Sequence, residues 1–234
     1  MEKWTSADKI EILKGIEVFR EAKSETLDTL ADCFSVRQYK KNEHIFKDKD
    51  ECSSLYLVKS GLVSLYKMSS QGEKKVIFIL GKGKMINEVV LQGLPSSISC
   101  DAFEPSEILC WNKDKFLHIM SQDFNLTKGV LRSLSLKTRR LYRQLKNTSN
   151  SVRADKRIAA KLWKLSGDYG VACEEGICID MDLSITYLAD MLGSQRETVS
   201  RQIKILKEHG LVGIEDKKFI VYDREKLASY FKEP

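Results

Sequence analysis

GSQRETVSRQIKILKEHG, residues 193–210, carries the pattern of one amphipathic helix held between two glycines. Ser194 followed three residues later by Glu197 has the form of a capping box, so a helix is expected to begin at Ser194. Gly210 supplies a left-handed stop at the other end. At roughly 100° per residue, Val199, Ile203 and Leu206 fall on one side, and Glu197, Ser200, Arg201 and Lys204 gather on the other. Just upstream, LSITYLADML (183–192) predicts a shorter helix with Ile185, Leu188 and Leu192 turned inward. Two short helices meeting at Gly193 have the layout of a helix-turn-helix, whose second helix offers polar side chains to a major groove. A plain helical hairpin with a solvated outer face fits the same stretch.

The residues that follow decide between them. LVGI (211–214), then EDKK (215–218), then FIVY (219–222) predict two short strands around a polar turn, a wing with Lys217 and Lys218 at its tip. RETVSR at 196–201, KEHGLV at 207–212 and KKFIVYD at 217–223 resemble the Crp/Fnr family of bacterial transcription regulators. Glu197 with Ser200 and Arg201 resembles the reading helix of the Fnr branch, and Arg196 in front of it resembles the cAMP-receptor branch. The resemblance runs weakly over nearly the whole chain. It implies an α+β fold: an N-terminal β-roll of the jelly-roll-like, cyclic-nucleotide-binding-domain type, a long dimerisation helix, and a C-terminal winged helix-turn-helix. It also implies a non-enzymatic regulator that binds a double-stranded DNA operator as a homodimer, works with RNA polymerase and answers to a small-molecule effector.

Composition narrows the alternatives. The chain has 234 residues, a formal net charge of +6, 42% hydrophobic and 31% charged residues, ordinary values for a protein with one large or two modest cores. The longest apolar run, Val76 to Leu80, has the length of a buried strand and cannot span a bilayer. MEKWTSADK at the N-terminus lacks the apolar centre of an export signal, so a cytoplasmic location without a membrane partner is expected. From 126 to 146 the chain carries Lys128, Arg132, Lys137, Arg139, Arg140, Arg143 and Lys146 with no acidic residue. Such a run suits a polyanion but is also what a solvated helix face looks like.

Six cysteines, at 33, 52, 100, 110, 173 and 178, show no C-x-x-C spacing, and reduced thiols are expected. Cys173 and Cys178 flank a turn, which leaves a thiol-responsive regulator on the same scaffold as an alternative. The Fnr branch holds an iron–sulfur cluster on N-terminal cysteines; Cys33 stands alone in that region, so neither that cofactor nor a metal is expected. His44, His118 and His209 fall in separate elements, and no catalytic constellation is apparent.

Taken in order, residues 1–34 read as helical, with Gly15 interrupting. Then come short runs rich in β-branched and aromatic residues: Val36–Tyr39, His44–Lys47, Leu55–Val58, Leu62–Lys67, Lys75–Leu80, Ser99–Phe103 and Ile108–Trp111. Strands at this spacing predict a sandwich or barrel, with Gly61 and Gly72 at tight turns. A short helix at Lys113–Met120 precedes a long one from about Asp123 to Asn147. On it Leu131, Leu134, Thr138, Leu141, Leu145 and Thr148 form a heptad-like seam, a dimer interface. Asn147 to Ser151 is a polar break and the expected hinge, and Ala154–Leu165 opens the last domain. The expected domains are therefore 1–122, 123–150 and 151–234.

Two sites follow. Arg196 and Arg201 can each give paired hydrogen bonds to guanine, Glu197 can accept from cytosine, and Ser200 is small enough to allow close approach. Lys204, Lys217 and Lys218 suit phosphates. For the effector, the cAMP-receptor branch uses a Gly-Glu pair and a closing Arg-Ser or Arg-Thr. Glu88 and Ser99 match this pattern, but Asn87 replaces the glycine and Ile98 the arginine. Ile98 offers a phosphate no charge, so a cyclic nucleotide is not expected. Another small molecule would be lined by Met85, Asn87, Glu88, Ser99, Thr138 and Tyr142. A β-roll module serving a non-DNA partner is the remaining reading.

Overall fold

The computed structural model of the chain describes residues 4–147 and 153–232, with the side chains of 146 and 147 excepted. Of the expected hinge from Asn147 to Ser151, Asn147 is the last residue of the long helix, and Thr148 to Ser151 lie outside the described residues. The chain forms two compact units, the first of which takes in the long helix as far as Tyr142.

The first unit opens with α1 (Ser6–Lys14), started by a Thr5–Asp8 capping box, and α2 (Ser24–Cys33). Seven strands follow: β1 (Ser35–Tyr39), β2 (His44–Phe46), β3 (Ser54–Ser60), β4 (Val63–Met68), β5 (Lys74–Leu80), β6 (Ser99–Ala102) and β7 (Ser106–Asn112). They make two sheets, β1-β7-β3 and β2-β6-β4-β5, in which β7 pairs antiparallel with β1 and β3 and β6 with β2 and β4. Each expected strand is present with its ends shifted by a residue or two, and Gly61 and Gly72 have positive φ. Alternation sends Leu55, Leu57, Leu65, Leu109 and Trp111 into the shared core. Trp111 is its centre, edge-on to Phe19, Phe34 and Phe116 at 5.6 to 5.8 Å. Its Nε1 donates to the Leu30 carbonyl at 3.0 Å, which leaves no unpaired polar atom behind the ring and ties α2 to the roll.

α3 (Lys113–Gln122) leaves the roll, and α4 (Phe124–Asn147) begins two residues later. Asp123 between them is buried; its carboxylate accepts from the Lys23 N–H and the Thr26 hydroxyl at 2.8 Å and from the Asn125 N–H at 2.9 Å. One aspartate thus starts α4 and docks it on α2. Leu126 and Val130 bury the inner face of α4. Gly129 lets the helix approach the chain at Val18, where an added Cβ would meet the Val18 carbonyl oxygen. Leu131, Leu141 and Leu145 remain exposed, Leu145 at 68%, Thr138 is exposed and Leu134 half-buried.

The second unit contains α5 (Ala154–Asp168), β8 (Gly170–Cys173), β9 (Gly176–Ile179), α6 (Ile185–Leu192), α7 (Arg196–Glu208), β10 (Val212–Glu215), β11 (Lys218–Val221) and α8 (Arg224–Lys232). Its core joins Ile158, Leu162, Leu188, Val199, Ile203, Leu206, Phe219 and Leu227. The expected two-stranded wing is one edge of a four-stranded sheet, β10-β11-β9-β8, because the short runs GVAC and GICI pair with each other and then with β11. Among the described residues no helix is long and apolar enough to cross a membrane, and no group of three or more His, Cys, Asp or Glu is placed to hold a metal ion.

Candidate nucleic-acid interface

The turn between α6 and α7 is built by the end of α6. Gly193 has φ 58°, and the Ser194 N–H bonds the Ala189 carbonyl at 3.1 Å, a left-handed helix ending. Arg157 of α5 also donates to the Leu192 carbonyl at 2.7 Å, fixing the same turn from outside. Ser194 therefore belongs to α6, which corrects the expected capping box: α7 begins at Arg196 after Gln195, with no side-chain cap. Likewise α6 begins at Ile185, not Leu183, because Ser184 caps it by accepting from the Tyr187 N–H. The far end of α7 closes as expected. Leu211 N–H reaches the Leu206 carbonyl and Gly210 N–H the Lys207 carbonyl, with Gly210 at φ 64°.

Val199, Ile203 and Leu206 are buried, which turns Arg196, Glu197, Ser200, Arg201 and Lys204 to solvent. Among the described residues no hydrogen bond or ion pair engages the side chains of Arg196, Glu197 or Arg201. Lys204 stands 3.9 Å from Glu208, a loose exposed pair. The face is thus three cations and one carboxylate on a rigid helix, free to match base edges and phosphates.

At the wing, Asp216 and Lys217 both have positive φ, the two-residue turn that matches strand twist. Lys217 occupies the tip and is exposed. Lys218 corrects its expected place: it is the first residue of β11, and its ammonium is paired with Asp180, which raises its pKa. Cys173 and Cys178 are free thiols two residues out of register on β8 and β9, opposite Gly176 and Val171 respectively.

The six expected effector residues do not meet around one opening. Met85 is buried in the roll core. Asn87 spends both ends of its amide on the backbone, accepting from Tyr56 N–H and donating to the Ser54 carbonyl, each at 2.9 Å. Ser99 accepts from the Asp48 N–H. Thr138 bonds the Leu134 carbonyl, and Tyr142 is exposed. Glu88 is buried and held by α4: Ser133 donates to one oxygen at 2.7 Å and Lys137 to the other at 2.6 Å. Burial pulls the Lys137 pKa down while the Glu88 carboxylate pulls it up, with burial prevailing. The spacing of Leu126, Val130, Ser133 and Lys137 in steps of four, three and four held the signal for this face. A cleft on the same face of α4 is lined by Lys84, Arg132, Ser133, Leu136, Lys137 and Arg140.

A roll followed by a winged helix-turn-helix with an open, basic helix face defines a DNA-binding transcription regulator. The profile of the cyclic nucleotide-binding domain matches residues 36–123, and that of the Crp-like helix-turn-helix domain matches 156–230. The chain is 26% identical to the anaerobic regulatory protein of Bacillus subtilis, over 87% of each chain. It is 28% identical to the cyclic AMP receptor protein of Thermus thermophilus, over 86% of this chain and 89% of that one. The solved structure of CLP from Xanthomonas campestris, a c-di-GMP-responsive regulator, superposes with a TM-score of 0.75 at 20% identity, covering 86% of this chain and all of that one. The chain belongs to the Crp/Fnr family of transcription regulators.

Proposed function

We propose that the chain works as a homodimer joined along α4 and reads a palindromic operator, with one α7 in each half-site. The observation that carries this reading is the unengaged set Arg196, Glu197, Ser200 and Arg201 on one solvent face of α7. Arg201 and Arg196 read guanine, Glu197 reads cytosine, and Lys204 and Lys217 take phosphates. The exposed stripe Leu131, Leu141 and Leu145, with Leu134 beside it, supports the dimer, since water gains by its burial.

A cyclic nucleotide is not the effector in this reading. Ile98 stands where a phosphate needs a cation, and both Glu88 oxygens are already bonded to α4. A small molecule of another class is assigned to the cleft lined by Lys84, Arg132, Leu136 and Arg140. RNA polymerase is the further partner of the operator-bound dimer. Sedimentation of the purified chain tests the assembly: a dimer at about micromolar concentration is expected. A monomer that nevertheless binds a palindrome with full affinity would overturn the role given to α4.

A further inference from the structure

Lys137 has a full complement of acceptors. Besides Glu88 at 2.6 Å, its Nζ donates to the Met85 carbonyl at 2.8 Å and the Ile86 carbonyl at 3.1 Å. An ammonium has three donors, and all three are met by one four-residue segment of the roll. Glu88 is 1% exposed and the Lys137 side chain 18%. The remaining carboxylate oxygen is taken by Ser133, one turn earlier on α4. The segment is therefore held from two sides: Asn87 and the Ile86 N–H anchor it to β3, and its two carbonyls and its carboxylate are answered by α4. Removing the lysine would leave three buried acceptors short of a donor, one of them charged.

We propose that Lys137 is a ligand built into the chain. Its ammonium, tethered to α4, orders the segment Met85–Glu88 and fixes α4 on the roll, so no small molecule is needed to bridge Glu88 to α4. Lys137 is thus a positioning residue, and its role stands apart from the reading of α4 as the dimer seam.

The test uses the full chain and hydrogen exchange. In Lys137→Ala the lost atoms have the size of propylammonium, which serves as a soluble probe. Peptides covering Met85–Val90 and the first half of α4 should be protected in the unmodified protein. In Lys137→Ala they should exchange at least about tenfold faster. Propylammonium chloride should restore protection, and potassium chloride at equal ionic strength should not. Lys137→Met keeps the volume without the donors, so it should exchange fast and resist rescue, which also covers the case in which the alanine variant fails to fold. Wild-type protection in Lys137→Met, or no rescue of a folded Lys137→Ala, overturns the proposal. Sedimentation of the same samples separates the two readings. A monomeric unmodified protein with a protected segment removes the dimer and leaves the built-in ligand standing, whereas a dimer with an unprotected segment does the reverse.

Discussion

Arg201 and Lys218 both belong to the DNA-binding unit, but their surroundings give them different work. Arg201 is exposed on α7 with its guanidinium unengaged, so its hydrogen bonds are available for a guanine edge. Arg201→Ala should cost about 1–3 kcal/mol on the best site and relax preference at one base position, with non-specific binding nearly unchanged. Lys217 at the wing tip suits a phosphate: Lys217→Ala should weaken all sequences alike and lower the salt slope by about one unit. Lys218 already has Asp180 as its partner, so Lys218→Ala should change the slope less than Lys217→Ala does. Titrations at two salt concentrations on matched and mismatched duplexes separate these three outcomes. An Arg201→Ala protein that behaved like Lys217→Ala would mean that α7 is not docked along this face.

At the scale of elements, α4 shows both what its sequence discloses and what it hides. Its apolar stripe and its length were legible because periodicity is a local property of the chain. The work of Lys137 was not, since in a basic run it reads as one more solvated cation, and only the packed roll supplies its acceptors. Ser194 misled for a related reason. A serine three residues before a glutamate fits a capping box, but the preceding helix captured its N–H first. The strands of the roll were legible from β-branched runs, whereas β8 is exposed along its whole length and β9 shows no alternation of buried and exposed residues, so the pair carried no periodic signal. Asp123 gives this element a pH response. Burial alone would raise its pKa, but the bonds from Lys23, Thr26 and Asn125 outweigh it and hold the pKa below the ordinary 3.8. A carboxylate with a lowered folded pKa stabilises above its unfolded value, and that contribution is lost as pH falls through the folded one. Asp123→Asn should therefore lower stability at neutral pH and flatten its decline below about pH 4, read by urea unfolding across pH. An unchanged acid limb would remove Asp123 from that role.

For the whole molecule, the boundary between the two compact units falls within α4, after Tyr142. Leu134→Asp with Leu141→Asp places charge in the stripe and should yield a folded monomer that has lost operator binding, as seen by sedimentation. A double mutant that remained dimeric would move the interface elsewhere. Calorimetry should find cAMP and cGMP binding no tighter than about millimolar, because Ile98 and the occupied Glu88 leave the phosphate and the carboxylate site unserved. Micromolar binding would contradict both points. The central claim is that α7 reads sequence in a dimer, and selection of bound sequences from random duplex DNA tests it most directly. The expected result is a palindrome with half-site centres about one helical turn apart and a strongly preferred guanine in each half, the preference that Arg201→Ala abolishes. Recovery of sequences without symmetry or enrichment, bound equally well by the unmodified and Arg201→Ala proteins, would contradict it.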